Sequence, residues 1–278
     1  MVYIEKHNTG SACNELTTIH LRNGSYDIDV CDNLHLNITI RTDILKKLLV
    51  DQKYCCAYCM KEINVNNATI EHIISQNFNE NSQGYNYQEL VRKYKVNIEN
   101  ILGRGKSRDI NIGRKHDTNY LNMLAVCKGN TCGNSSHCDA SRSKKQDKRP
   151  LLFISPLDRT QMENIKFSYN GTIYYKEPLS EKELKELSSK HSYLNLDMDT
   201  NIKYDLNYVL NLNCEVIREK RKRVLGAIRN ILSRYSFDRV KIRNYLQAFE
   251  DRSSLYYSFN QNNGEFSRVA IFELKKHI

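Results

Sequence analysis

The sequence predicts an α+β protein, in which a small strand-and-helix core held by cysteines is embedded in a mainly α-helical chain. Three observations lead there. ATIEHIIS (Ala68 to Ser75) is rich in β-branched residues and reads as a strand. Six of the nine cysteines fall between Cys55 and Cys138, in separated, short-spaced sets. Elsewhere apolar residues recur at helical spacing, and the 40% hydrophobic and 27% charged content suits a globular chain better than a disordered one.

Taken in order, RTDILKKLLVDQ (Arg41 to Gln52) carries Ile44, Leu45, Leu48 and Leu49 on one helical face and delivers the chain into YCCAYC. The strand ATIEHIIS follows. A helix is expected around Tyr87 to Tyr94, then a basic loop, ILGRGKSRDINIGRKH. Its GRGK lacks the spacing of a phosphate-binding loop, and no clear strand precedes it. LNMLAVC (Leu121 to Cys127) is short and apolar, and CDASRSKKQ (Cys138 to Gln146) opens a basic helix. Past Pro150 the cysteine clustering stops. FSYNGTIYY (Phe167 to Tyr175) reads as a hairpin turning at Asn170-Gly171. Ser180 and Glu183 form a capping box ahead of KELKELSSK. Asn213 is the expected cap of a long amphipathic helix with Ile217, Leu225, Ile228 and Leu232 on one face.

A chain of 278 residues suffices for one large or two modest domains. The change at Pro150 divides it into a cysteine-bearing region, 1–150, with a helical lead-in, and a mainly helical region, 151–278, with one small hairpin. The longest apolar run, near LLFISPL, is far too short to span a bilayer. MVYIEKHNTG carries no apolar segment of the secretory type, so the expected compartment is the cytoplasm.

Net charge is +10 and the pI about 9.1. Such an excess concentrates polyanions around a protein, which makes nucleic acid the leading partner class. Glu215 to Arg243 alone holds ten Lys/Arg against three Asp/Glu, either a solvated helix face or a surface for nucleic acid or a partner.

Nine cysteines in a chain expected in the cytoplasm argue against a disulfide framework. Cys13, Cys31 and Cys214 are scattered and read as ordinary thiols. The clustered ones fit metal. Tetrahedral zinc takes four soft ligands, usually as two short-spaced pairs. Cys56 and Cys59 supply one pair and Cys127 and Cys138 the other, with Cys55 and Cys132 as competitors. Free or redox-active thiols are the other reading. A four-thiolate zinc is closed and does no chemistry, so its role would be to staple a segment with too little core to order itself.

Chemistry then turns on Glu71-His72 in the middle of the strand. A carboxylate suits a hard cation such as Mg²⁺, and an imidazole titrating near neutrality can take a proton from water. Neighbours on an extended strand point to opposite sides, so on its own the pair is equally a surface accident.

The order CxxC, acid-His, Asn-Met-Leu-x-x-Cys, then Cys-Asp followed by basic residues resembles the HNH endonuclease family. More narrowly, LLVDQKYCCAYC, CKGN…HCDASRSK, ISPLDRTQMENIKFSYNGTIYY and VLNLNCEVIREKR resemble the PtuB group, the HNH effectors of Septu-type and retron-associated anti-phage defence. The resemblance implies a ββα-metal core in which His72 is the general base, Glu71 a ligand of catalytic Mg²⁺ or Mn²⁺, and Asn122 the residue that orders the loop. The third motif position, ordinarily Asn or His, is Asp139 here, with His137 the alternative. Arg142 stands where the family often shows lysine. A PtuA-like ATPase is the implied partner. Arg104, Lys106, Arg108, Arg114, Lys115, Arg142, Lys144 and Lys145 are the expected contacts to the nucleic-acid backbone, DNA or RNA alike. The competing expectation is a zinc-stapled module that grips nucleic acid or the ATPase without cutting.

Overall fold

The computed structural model describes residues 1, 3–7, 38–75, 92, 95–102, 119–129, 136–144, 151–189, 196–250 and 266–278. Helix α1, Ile38–Asp51, forms where the spacing predicts, and Ile44, Leu45, Leu48 and Leu49 are all buried. It ends in two residues of left-handed backbone, Lys53 and Tyr54, that turn the chain into the first cysteines. Gln52 is buried at this corner. Its Nε2 donates to Cys55 O (2.8 Å) and Ala125 O (2.6 Å), and its Oε1 accepts from Ala125 N (2.7 Å). A buried amide is tolerable only when paired in this way.

Strand β1, Ala68–His72, pairs antiparallel with β2, Met123–Cys127, in the register Ala68↔Cys127 to His72↔Met123. β2 is buried along its whole length, which is why LNMLAVC is apolar without alternation. The expectation of strand through Ser75 overshoots. Ile73 N bonds Asn122 O, and Ile74 forms an isolated bridge to Leu151. Leu121 and Asn122 belong to a short 3₁₀ turn, Tyr120–Asn122, that leads into β2.

Helix α2, Lys95–Leu102, takes in Ile101 and Leu102, which were expected to open the basic loop. The remainder of that loop lies outside the described residues, as does the helix expected at Tyr87 to Tyr94 except for Arg92, which is helical. Helix α3, Cys138–Lys144, follows β2 and packs on it.

Beyond residue 150 come α4, Arg159–Glu163, capped by Asp158, and an antiparallel pair β3, Ile165–Phe167, and β4, Ile173–Tyr175. The connection between them spans residues 168–172, so Asn170-Gly171 sits within a longer loop. Helix α5, Glu181–Ser188, starts with the expected capping box. Helix α6, Met198–Tyr204, runs into a π-turn, Asp205–Val209, then α7, Glu215–Arg234, α8, Arg239–Glu250, and α9, Ser267–Lys275, which packs on both α7 and α8. The predicted apolar face of α7 is buried, and Arg221 and Val224 join it. Asn213 does not cap α7. Its side chain bonds Ile173 N and O and Asn207 Oδ1, tying the hairpin to the π-turn, and Cys214 holds the cap position without a side-chain bond.

The compositional boundary at Pro150 is crossed by a continuous apolar cluster. Asp205, fully buried, accepts from Phe153 N (2.5 Å) and Ile154 N (3.1 Å), and Cys138 N donates to Leu210 O (2.8 Å). Among the described residues no helix is long and apolar enough to cross a membrane.

Candidate metal centre and adjoining acidic pair

Three elements bring four sulfurs to one point. The turn after α1 supplies Cys56 and Cys59, the end of β2 supplies Cys127, and the first residue of α3 supplies Cys138. The four Sγ atoms lie within 4.8 Å of one another, all buried. Cys56 and Cys138 are 3.8 Å apart, Cys59 and Cys127 3.7 Å. A tetrahedron with metal–sulfur bonds of about 2.3 Å has edges of about 3.8 Å, so the spacing is that of a metal such as zinc. These four cysteines can therefore hold one.

The backbone is shaped for the purpose. Met60 and Cys138 both adopt positive φ, and Gly129 (φ 64°) closes the loop by accepting from His137 N, where an added Cβ would lie 1.8 Å from His137 O. Cys127 N points at Cys56 Sγ (3.3 Å). Burial opposes charge on Cys56, yet hydrogen bonds from Cys127, Cys138 and Cys59 outweigh it and hold this thiol well below its usual range. Of the competitors, Cys55 is buried but outside the cluster, and Cys132, like Cys13 and Cys31, lies outside the described residues. Cys214 is a buried thiol, as expected.

One turn along α3 from Cys138, the chain meets β1. Arg142 Nη1 pairs with Glu71 Oε1 at 2.5 Å and also donates to His72 O, while Nη2 donates to Ile73 O (3.1 Å). Asp139, on the same face of α3 as Arg142, is near enough to the Glu71 carboxyl to push its pKa up, and its Oδ1 accepts from Ser143 Oγ (3.1 Å). On the opposite side Asn122, fully buried, accepts from Ile74 N (2.8 Å) through Oδ1 and donates to Ile74 O (2.9 Å) through Nδ2. Residues 71–74 are thus clamped by Arg142 from α3 and by Asn122 from the turn before β2, with His72 at the end of the paired strand.

Several expectations change on this geometry. Arg142, expected to contact phosphate, is 7% exposed and spent on Glu71 and two carbonyls, because the strand end would otherwise leave those groups buried and unpaired. His137 does not meet Glu71. Its Nδ1 lies 3.2 Å from Cys138 Sγ and 3.8 Å from Cys127 Sγ, and burial lowers its pKa to about 4. Glu71, His72 and Asp139 do not gather as the thiols do: among the described residues the four cysteines are the group of three or more potential ligands close enough to share an ion. Lys144 ends α3, and Arg104, Lys106, Arg108, Arg114, Lys115 and Lys145 lie outside the described residues. Sequence reasoning missed Gln52 and the inward turn of Arg142, because nothing local marks a polar side chain whose partners are 70 or so residues away.

Burial pushes Glu71 up to about 7, the Arg142 charge pulls it down, and Asp139 pushes it up again. The folded state therefore binds a proton at this carboxyl that the unfolded chain has released above its ordinary range, so stability from Glu71 is lost as pH rises from about 4.5 toward 7. Glu71→Gln removes the linkage. Denaturant unfolding should show wild type losing about 2–3 kcal/mol relative to Glu71→Gln across that window. Parallel curves for the two proteins would mean the carboxyl is ionised throughout.

The fold and this site define a mixed α/β protein with small antiparallel sheets and a four-cysteine cluster that can bind a metal. Comparison with protein-family models, curated proteins and solved structures finds no match to the chain.

Proposed function

We propose that the protein is a metal-dependent endonuclease of the HNH type, hydrolysing phosphodiester bonds of nucleic acid as the effector of a Septu-type defence system. The observation that supports this reading most is that the helix starting at the cluster's Cys138, and carrying Asp139, is pinned to the Glu71-His72 end of β1 through Arg142. Zinc at the four cysteines would hold β2 and α3 in place. His72 takes the proton of the attacking water at a ring nitrogen, with Arg142 holding its carbonyl and Asn122 the backbone two residues on, at Ile74. Mg²⁺ or Mn²⁺ at Glu71 and Asp139 would supply a Lewis acid for the scissile phosphate. The donor set fits such an ion in part, because Arg142 is already engaged to one of the two carboxylates. A PtuA-like ATPase is the proposed partner.

The Arg142–Glu71 pair itself favours a second reading, a zinc-stapled module that grips nucleic acid or the ATPase without cutting, since the guanidinium already neutralises the carboxylate. One assay separates the two. Labelled DNA and RNA are incubated with the protein, with and without divalent metal and a PtuA-like ATPase. Cleavage that needs the metal and falls about 10²- to 10⁴-fold in His72→Ala supports the nuclease. Binding without cleavage in every arm supports the module, and undiminished cleavage by His72→Ala removes that residue from the mechanism.

A further inference from the structure

We propose that the side of α7 that meets the β3–β4 hairpin is a binding strip for single-stranded nucleic acid, with Lys222 and Arg229 on its backbone and Tyr169 as a stacking platform for a base. It uses none of Glu71, His72 or Asp139 and therefore stands apart from the cleavage reading.

The hairpin tip is seated on α7. Gly171 adopts left-handed backbone (φ 84°), and a Cβ there would lie 2.0 Å from Arg218 O and 2.9 Å from Lys222 N, so no larger residue lets the tip approach so closely. Two residues earlier, Tyr169 is left 65% exposed, more than any other large hydrophobic or aromatic side chain among the described residues. A single exposed aromatic means little by itself. Here its ring is covered on one side by the Arg229 guanidinium, 5.0 Å from the centroid. Arg218, Lys222, Gly226 and Arg229 follow one another on α7 at steps of four, four and three, which keeps them on one side of the helix. Lys222 and Arg229 are exposed and Arg218 half-buried. Gly226 is exposed too, and a Cβ added there would meet nothing within 4 Å, so the middle of the strip is open helix backbone. From Arg218 to Arg229 the run is about 16 Å long at helical rise. The acid nearest on the helix is Glu219, 3.6 Å from Lys222, and it leaves the strip with a cationic excess.

Cations along a groove with an exposed aromatic beside them are what single-stranded nucleic acid needs, charge for its phosphates and a π-face for a base. An acidic peptide would use the cations, but it has no call on the bare ring. Arg229 serves both, screening phosphate charge and stacking on Tyr169.

The test is fluorescence anisotropy of the full chain with short labelled oligothymidine and oligouridine, without added divalent metal, over a series of salt concentrations. Lys222→Gln with Arg229→Gln should weaken binding about ten-fold and lower the salt slope by roughly 1.4, about 0.7 for each lost contact. Tyr169→Ala should weaken it roughly five-fold or more, with little change in slope. Lys182→Gln with Lys185→Gln on α5, exposed and changing net charge equally, should do neither. Circular dichroism checks that each variant is folded. Equal losses in the α5 control, full affinity in Tyr169→Ala, or no binding by the wild type would each overturn the proposal.

Discussion

Cys138→Ser is expected to abolish metal binding at the four-cysteine cluster and to unfold the part of the protein built on β1, β2 and α3. Cys138 begins α3, its N–H bonds Leu210 O, and its sulfur completes the tetrahedron with Cys56, Cys59 and Cys127. The sheet behind it has two strands of five residues each, too little to stand alone in water. Structural zinc contributes on the order of 10–16 kcal/mol of apparent binding energy in small domains, comparable with or above the whole stability of a typical protein. Loss of one thiolate should therefore show as metal content falling well below one equivalent by elemental analysis, with loss of helical and strand signal in circular dichroism. A strong chelator should act similarly on the wild type, and added zinc should reverse it. Cys55→Ser is the control, because Cys55 is buried beside the cluster without belonging to it. Metal retained by Cys138→Ser and lost by Cys55→Ser would reassign the ligands.

Arg142→Met should cost about 3–5 kcal/mol in denaturant unfolding, the usual penalty for stranding one member of a buried ion pair. The pair is well shielded, with side-chain exposures of 8% and 14%, so solvent does little to soften the loss. Methionine fills similar space but removes the charge that holds the Glu71 pKa down, so the folded protein must strand that carboxylate or take up a proton there, and the change takes donors from His72 O and Ile73 O. Glu71→Gln placed on top of Arg142→Met should recover a good part of the loss, since it removes the stranded charge. A double-mutant cycle measures that recovery. A cost below about 1 kcal/mol for Arg142→Met would mean that the pair behaves as a surface one.

What could be read from the chain alone follows from how far each signal reaches. The CxxC at Cys56 and the later cysteines announce themselves because thiolate ligation requires particular side chains, and the structure brings all four together. Helices α1, α5 and α7 were legible through apolar spacing or a capping box, both local properties. Asn213 reads as a cap because asparagine favours that position, but the preference is worth about 1 kcal/mol and three tertiary hydrogen bonds prevail over it. Arg142 reads as a phosphate contact because α3 is short and basic, with no apolar stripe to say which side faces inward. Only the strand end it covers decides that. The ending of β1 at His72 is likewise set from outside, by Asn122, a residue 50 positions on.

The register of the first hairpin has a further consequence. Ala68 stands opposite Cys127 of the thiol cluster, and His72 stands opposite Met123, so the two ends of the ladder are separated by a fixed count of four strand residues, about 14 Å along the strand. Insertions of one residue between them would swing Glu71 to the opposite face and present its neighbour to Arg142, whereas two would restore the facing at a longer reach. Odd and even changes in this short stretch should thus have unlike outcomes, and the cluster acts as the zero mark from which the acid and the imidazole are measured.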